Sequence, residues 1–193
     1  MAVITISRQL GSAGDYIAGL VASAMSYRLV NKQSLVMEAQ RRGEIASEIA
    51  DEIGEGKPSL LGRFDRNRSQ AVYAMRSILR DMASEGSVVI VGRGGHIELK
   101  DRTDLLRVSI IADLEIRVSR IEREDGVGRP QAIKMLKKSD KERCEYTKHF
   151  FLADCSDPEF YDMTINTSRI LPEAAARLIQ QAARQFRTVK PSL

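Results

Sequence analysis

The chain has 193 residues, 43% hydrophobic and 29% charged, with 30 Lys and Arg against 26 Asp and Glu for a net charge of +4. That length fits one domain with a sizeable buried core, and the composition is that of a soluble globular protein. Only 5% of the residues are aromatic and tryptophan is absent, which argues against a platform for stacking single-stranded nucleic acid, while the mild basic excess suits a phosphate-bearing small molecule as well as it suits nucleic acid.

No stretch approaches the ~20 apolar residues of a membrane span. The N-terminus lacks the apolar run of a signal peptide, so a cytoplasmic location is expected. Cys144 and Cys155 are the two cysteines and His96 and His149 the two histidines, with no C-x-x-C. Neither a disulfide framework nor a zinc site is expected, and both cysteines read as half-buried thiols.

In chain order, an apolar strand at Val3–Ser7 meets a turn containing Gly11, Ser12, Ala13 and Gly14, and a helix follows over Tyr16–Ser26. A strand at Arg28–Val30 leads into a helix over Lys32–Ile53, and "GEGKPSLLGR" (Gly54–Arg63) punctuates the chain before a helix over Asp65–Glu85. Strands are expected at Ser87–Val91, Leu105–Ile111 and Met163–Asn166, and helices at Leu114–Arg123, Pro130–Phe151 and Pro172–Phe186. "SVVIV" and "LLRVSII" are continuously apolar, as strands covered on both faces tend to be. Strands alternating with helices indicate a three-layer α/β domain around a parallel sheet. No repeat or second domain is visible.

Strand, glycine turn and helix in that order build phosphate-binding loops, because backbone N–H groups and a helix N-terminus attract anions. Set against G-x-x-x-x-G-K-[ST], Arg8 takes the place of the first glycine, Ala13 that of the second, Gly14 that of the lysine and Asp15 that of the Ser/Thr. Two readings stand at this point, a structural turn and a phosphate loop in which the Arg8 guanidinium replaces the missing charge. Asp15 opposes a tightly held triphosphate unless magnesium or an arginine neutralises it; otherwise it is a first-turn residue of the helix.

"SVVIVGRGGHIEL" ends a buried strand in Gly92-Arg93-Gly94-Gly95, at the carboxyl edge where α/β folds bind ligands. There Arg93 is a natural phosphate fork. The helix over Pro130–Phe151 carries Lys134, Lys137, Lys138, Lys141 and Lys148 on one basic face, with Asp140 and Arg143 on a neighbouring stripe. That face is a solvated surface, a nucleic-acid contact, or a lid bringing arginine onto a transferring phosphate.

Taken together, "ISRQLGSAG" with Ile17-Ala18, "YRLVNK", "VVIVGRGG", "IADLEIRVSRI", "SDKER" and "INT" (Ile165-Asn166-Thr167) resemble, in order, the signatures of the cytidylate kinase-like family of P-loop kinases. The resemblance spans nearly the whole chain. It implies a single nucleoside monophosphate kinase-like domain with a five-stranded parallel core, a monophosphate-binding helical region at about 31–85 and a lid at about 124–151. It implies ATP and Mg²⁺, and transfer of the γ-phosphoryl group to a nucleoside monophosphate, CMP or dCMP by default; a nucleotide-binding regulatory module with the same fold is the alternative. Gly11, Ser12, Ala13, Gly14 and Asp15 would cradle the ATP phosphates with Arg8 adding charge, and Asn166 and Thr167 would lie near the adenine. Arg93 would hold the acceptor phosphate, and Arg143 would close on the transferring group with Asp140 orienting it. No protein metal site, membrane or nucleic-acid partner is expected, and an oligomer is left open. Gly14 for the loop lysine, Val91 for an acid before Gly-Arg, and Asn31 in the acceptor region depart from the family pattern.

Overall fold

A computed structural model describes residues 2–42 and 66–185, the side chains of 66–71 apart. Five strands form one all-parallel sheet, β1 (Val3–Arg8), β2 (Arg28–Val30), β3 (Val88–Val91), β4 (Leu105–Ile111) and β5 (Met163–Asn166), in the spatial order β2-β3-β1-β4-β5. The helices are α1 (Gly14–Met25), α2 (Lys32–Arg41), α3 (Arg66–Ser84), α4 (Gly95–Glu98), α5 (Leu114–Asp125), α6 (Arg129–Phe151) and α7 (Pro172–Gln185). Each expected strand forms within one residue of its expected bounds. The tail of the helix expected to reach Ile53, the Gly54–Arg63 connection and the helix end at Phe186 lie outside the described residues.

β1 sits between β3 and β4, with Ile4 in register with both Val89 and Leu106. Val3 to Ser7 and all of β3 are buried, because helices cover both faces of a parallel sheet. Ile4, Ile6 and Ile110 face Ile17 and Val21 of α1 and Ile179 of α7 on one side. On the other, Val3 and Ile90 pack with Leu35 of α2 and Met75, Ile78 and Leu79 of α3. A separate small cluster, Val118 and Ile121 with Ala132 and Leu136, joins α5 to the N-terminal half of α6. Truncating the fully buried Leu136 to Ala should cost about 2–5 kcal/mol and loosen α6 first.

Since every strand runs the same way, their carboxyl ends gather at one edge, and Arg8, Asn31, Gly92, Ala112 and Thr167 stand at or just beyond that edge. α2 starts sharply there: Asn31 Oδ1 accepts from the Ser34 amide at 3.1 Å, and Ser34 Oγ accepts from the Asn31 amide at 2.8 Å.

The expectation of two thiols is corrected. Cys144 of α6 and Cys155 are joined in a disulfide with their Cα atoms 5.1 Å apart. The cause is the helix end, where Leu152 takes a left-handed conformation (φ 54°) and turns the chain back along α6. Among the described residues no helix is long and apolar enough to cross a membrane.

Candidate active site

The turn between β1 and α1 is held from behind, carbonyl by carbonyl. Ser12 Oγ donates to Gln9 O at 2.7 Å and Arg117 Nε donates to Leu10 O at 2.7 Å. Arg120 Nη1 donates to Gly11 O at 3.1 Å, and Thr167 Oγ1 donates to Ser12 O at 2.8 Å. In a trans peptide the C=O and N–H point opposite ways. Fixing Leu10 O and Ser12 O backward therefore turns the N–H groups of Gly11 and Ala13 toward the strand edge. α1 adds its first-turn amides there, since its N-cap Ala13 has no capping side chain. Ala13 itself is left-handed (φ 62°), as is Gly11 (φ 74°), so the chain curls into a concavity lined by donors.

Gly11 could not be larger, because a Cβ there would lie 2.9 Å from the Arg117 carbonyl oxygen. Arg117 is 3% exposed, and its Nη1 and Nη2 donate to the two oxygens of Asp140 at 2.9 and 3.0 Å. Asp140, on α6, is thus tied through one guanidinium to the turn between β1 and α1. Arg120 in turn donates to Thr167 Oγ1 and to its carbonyl, 3.0 and 2.8 Å. Thr167 is 2% exposed and committed beneath the turn, whereas Asn166 is exposed and its Nδ2 donates to Asp113 Oδ1 at 3.2 Å.

In front of the turn lies a cavity of about 400 Å³ lined by Arg8, Asp15, Asn31, Lys32, Gln33, Val36, Val91 and Arg93. Three cations against one carboxylate give it a positive lining suited to an anion, and its amide side chains can hydrogen-bond a polar group. Arg8 Nε lies 3.2 Å from both Asp15 oxygens. A hollow of about 430 Å³ along α7, lined by Arg177, Gln180, Gln181, Arg184 and Gln185, receives no strand end or glycine turn.

The remaining expected residue stands apart. Arg143 Nη1 donates to Cys155 O at 3.5 Å, beneath α6 and beside His96, whose imidazole stacks on Tyr161 with centroids 4.9 Å apart. Burial, then the charges of Arg107 and Arg143, push the His96 pKa down to about 4. The structure therefore brings Arg8, Asp15 and Arg93 to one cavity beside Gly11–Gly14, and places Asp140 and Thr167 behind the turn. Lys32, Arg117 and Arg120 were not in the expected site. The i, i+3 spacing of Arg117 and Arg120 on a face shared with Val118 and Ile121 was the signal that they point inward.

A family model described as "Cytidylate kinase-like family" matches residues 3–169. The chain is 24% identical over 178 residues to the cytidylate kinase of Sulfurisphaera tokodaii, covering 92% of this chain and 93% of that one. It is 26% identical over 176 residues to the cytidylate kinase of Methanopyrus kandleri, covering 86% and 85%. Among solved structures, an uncharacterized protein from Eubacterium ventriosum superposes with a TM-score of 0.77 at 22% identity, over 95% of this chain and 99% of the other. Shikimate kinase from Acinetobacter baumannii, in complex with shikimate, gives 0.55 at 15% identity over 96% and 94%. The fold is that of the P-loop kinases, and the chain belongs to the cytidylate kinase-like family.

Proposed function

We propose that the chain is a phosphotransferase that moves the γ-phosphoryl group of ATP to a nucleoside monophosphate, with CMP or dCMP as acceptor. One observation carries the reading: Arg8 and Asp15, which flank a turn with its carbonyls fixed backward, line a cavity together with Lys32 and Arg93. A donor phosphate chain and an acceptor phosphate can share that edge, and phosphoryl transfer asks mainly for positioning and neutralisation of charge.

In this reading the amides of Gly11 to Asp15 bind the donor phosphates, Ser12 being the residue whose side chain shapes the turn. Arg93, with Lys32 across the cavity, holds the acceptor phosphate. Arg143 reaches the transferring group only when its side chain leaves the carbonyl of Cys155, a residue that the bridge to Cys144 carries along with α6. Asp140 orients the lid indirectly, through Arg117. Thr167 supports the turn from below and Asn166 flanks the nucleotide's base.

Mg²⁺ fits as an ion carried by the triphosphate, because the described residues hold no cluster of three or more His, Cys, Asp or Glu and Asp15, the loop's carboxylate, is taken by Arg8. Its ligands would be phosphate oxygens and water, and it would supply charge neutralisation.

The test is ADP release with CMP, dCMP, UMP and AMP as separate acceptors, against an Arg93→Ala control. Acceptor-dependent ADP with a pyrimidine monophosphate, lost in the control, is the expected result. ATP binding with no acceptor-dependent ADP would assign the chain to nucleotide binding without turnover.

A further inference from the structure

A Cβ placed on Gly14 would lie 2.4 Å from Arg8 Cβ and 2.7 Å from Arg8 Cγ. The stem of Arg8 therefore covers the face of the helix start from which a loop lysine would leave. Farther along, Arg8 Nη1 lies 3.0 Å from where a Cβ on Gly92 would stand, and Gly92 has φ 69°. One arginine thus runs from the first residue of α1 to the end of β3, and a glycine lies under it at each end. Its guanidinium is held by Asp15 through Nε and through Nη2, which is 3.2 Å from Oδ1.

We infer that Arg8 is the transposed lysine of this loop: the phosphate-binding cation enters from β1, Gly14 is vacant because the arginine stem fills the lysine's exit, and Asp15 is its positioning residue. The inference rests on the ATP-dependent reading above. With Nε and one side of Nη2 committed to Asp15, Nη1 and the outer hydrogen of Nη2 are left for the cavity that Arg8 lines, where they can meet phosphate oxygens. The arrangement makes positions 8 and 14 exclusive. A side chain at 14 needs the arginine stem moved, and with glycine at 14 the loop's cation is Arg8.

Calorimetric ATP titration across four proteins tests this: the parent, Arg8→Gly, Gly14→Lys, and the double variant. Arg8→Gly should weaken ATP about tenfold or more. Gly14→Lys alone should bind no better than Arg8→Gly and melt below the parent. The double variant should recover to within about threefold of the parent, a coupling that independent sites do not show. Should Gly14→Lys not fold, Gly14→Ala, which adds only the Cβ, should lower the melting temperature in the parent and not in Arg8→Gly. For Asp15, removing a carboxylate near a triphosphate should tighten ATP if the group contributes charge alone. As a positioning residue it behaves otherwise: Asp15→Asn tightens ATP only in the Arg8→Gly background, and Asp15→Glu keeps the parent's affinity. Additive effects at 8 and 14, or parent-like binding by Arg8→Gly, would overturn the inference, and Asp15→Asn tightening ATP equally in both backgrounds would overturn the role of Asp15. A parent that binds ATP without turnover sinks the transfer reading alone; one that binds no ATP sinks both.

Discussion

Arg117 joins two parts of the molecule at once: two of its nitrogens hold both oxygens of Asp140 on α6, and the third holds the carbonyl of Leu10 in the turn. Arg117 is buried while Asp140 is a third exposed, so the carboxylate left behind is partly solvated and Arg117→Ala, which also strands the Leu10 carbonyl, should cost about 1–3 kcal/mol in chemical denaturation. The variant should also lose most of the stabilisation that ATP confers on the parent. Arg117→Lys offers one compact ammonium for three directed bonds and should rescue little. An ATP response equal to the parent's would show that the turn holds its shape without this arginine.

Gly11 tests the same packing from the other side. Gly11→Ala places a methyl against the Arg117 carbonyl at a left-handed position, which should cost about 1–3 kcal/mol and weaken ATP in the same variant. Full stability with lost ATP binding would mean that the turn relaxes away from α5.

His96 sets an acid limit on stability. The unfolded imidazole takes its proton near pH 6.5, while the folded one waits until about pH 4. Between these values the unfolded state binds more protons, so this contribution is complete above pH 6.5 and lost as pH falls toward 4. At 1.36 kcal/mol per pH unit the window is worth about 3 kcal/mol. Urea melts at pH 7, 5.5 and 4 should show a steeper fall for the parent than for His96→Asn. Parallel profiles would place the acid sensitivity elsewhere.

The Cys144–Cys155 bridge closes a short loop, with a sequence separation of 11. Its reduction should cost about 3 kcal/mol by chain entropy and lower the melting temperature by roughly 6–12 °C for a domain of this size. Cys155→Ser should reproduce the loss and abolish the response to reductant. Identical melts with and without reductant would show that the tie adds nothing to the fold.

The sheet was legible because its strands are short apolar runs that periodicity marks well, and Arg28–Val30, Leu105–Ile111 and Met163–Asn166 formed as read. α4 was missed because Gly94-Gly95-His96 reads as loop, and its left-handed N-cap (φ 65°) gives no propensity signal. At the site, the cavity arginines Arg8 and Arg93 lie beside glycine turns, so local pattern pointed to them. The residues that fix the turn do not: Arg117 and Arg120 lie more than a hundred positions from the turn carbonyls they hold, those of Leu10 and Gly11. The disulfide was hidden for a similar reason, since a left-handed leucine at 152 reverses the chain where nothing in the residue type foretells it.

The end of α6 carries one more constraint. A Cβ on Gly94 would fall 2.2 Å from Phe151 Cε2, so the ring seats directly on bare backbone. Gly94 is also left-handed, which makes substitution there costly twice over. The two positions are coupled: a side chain at 94 needs the ring at 151 moved or made smaller, and the ring where it stands needs glycine at 94. Relatives with a side chain at 94 should therefore carry a small residue at 151, and the end of their α6 should meet the β3 end in a different pose.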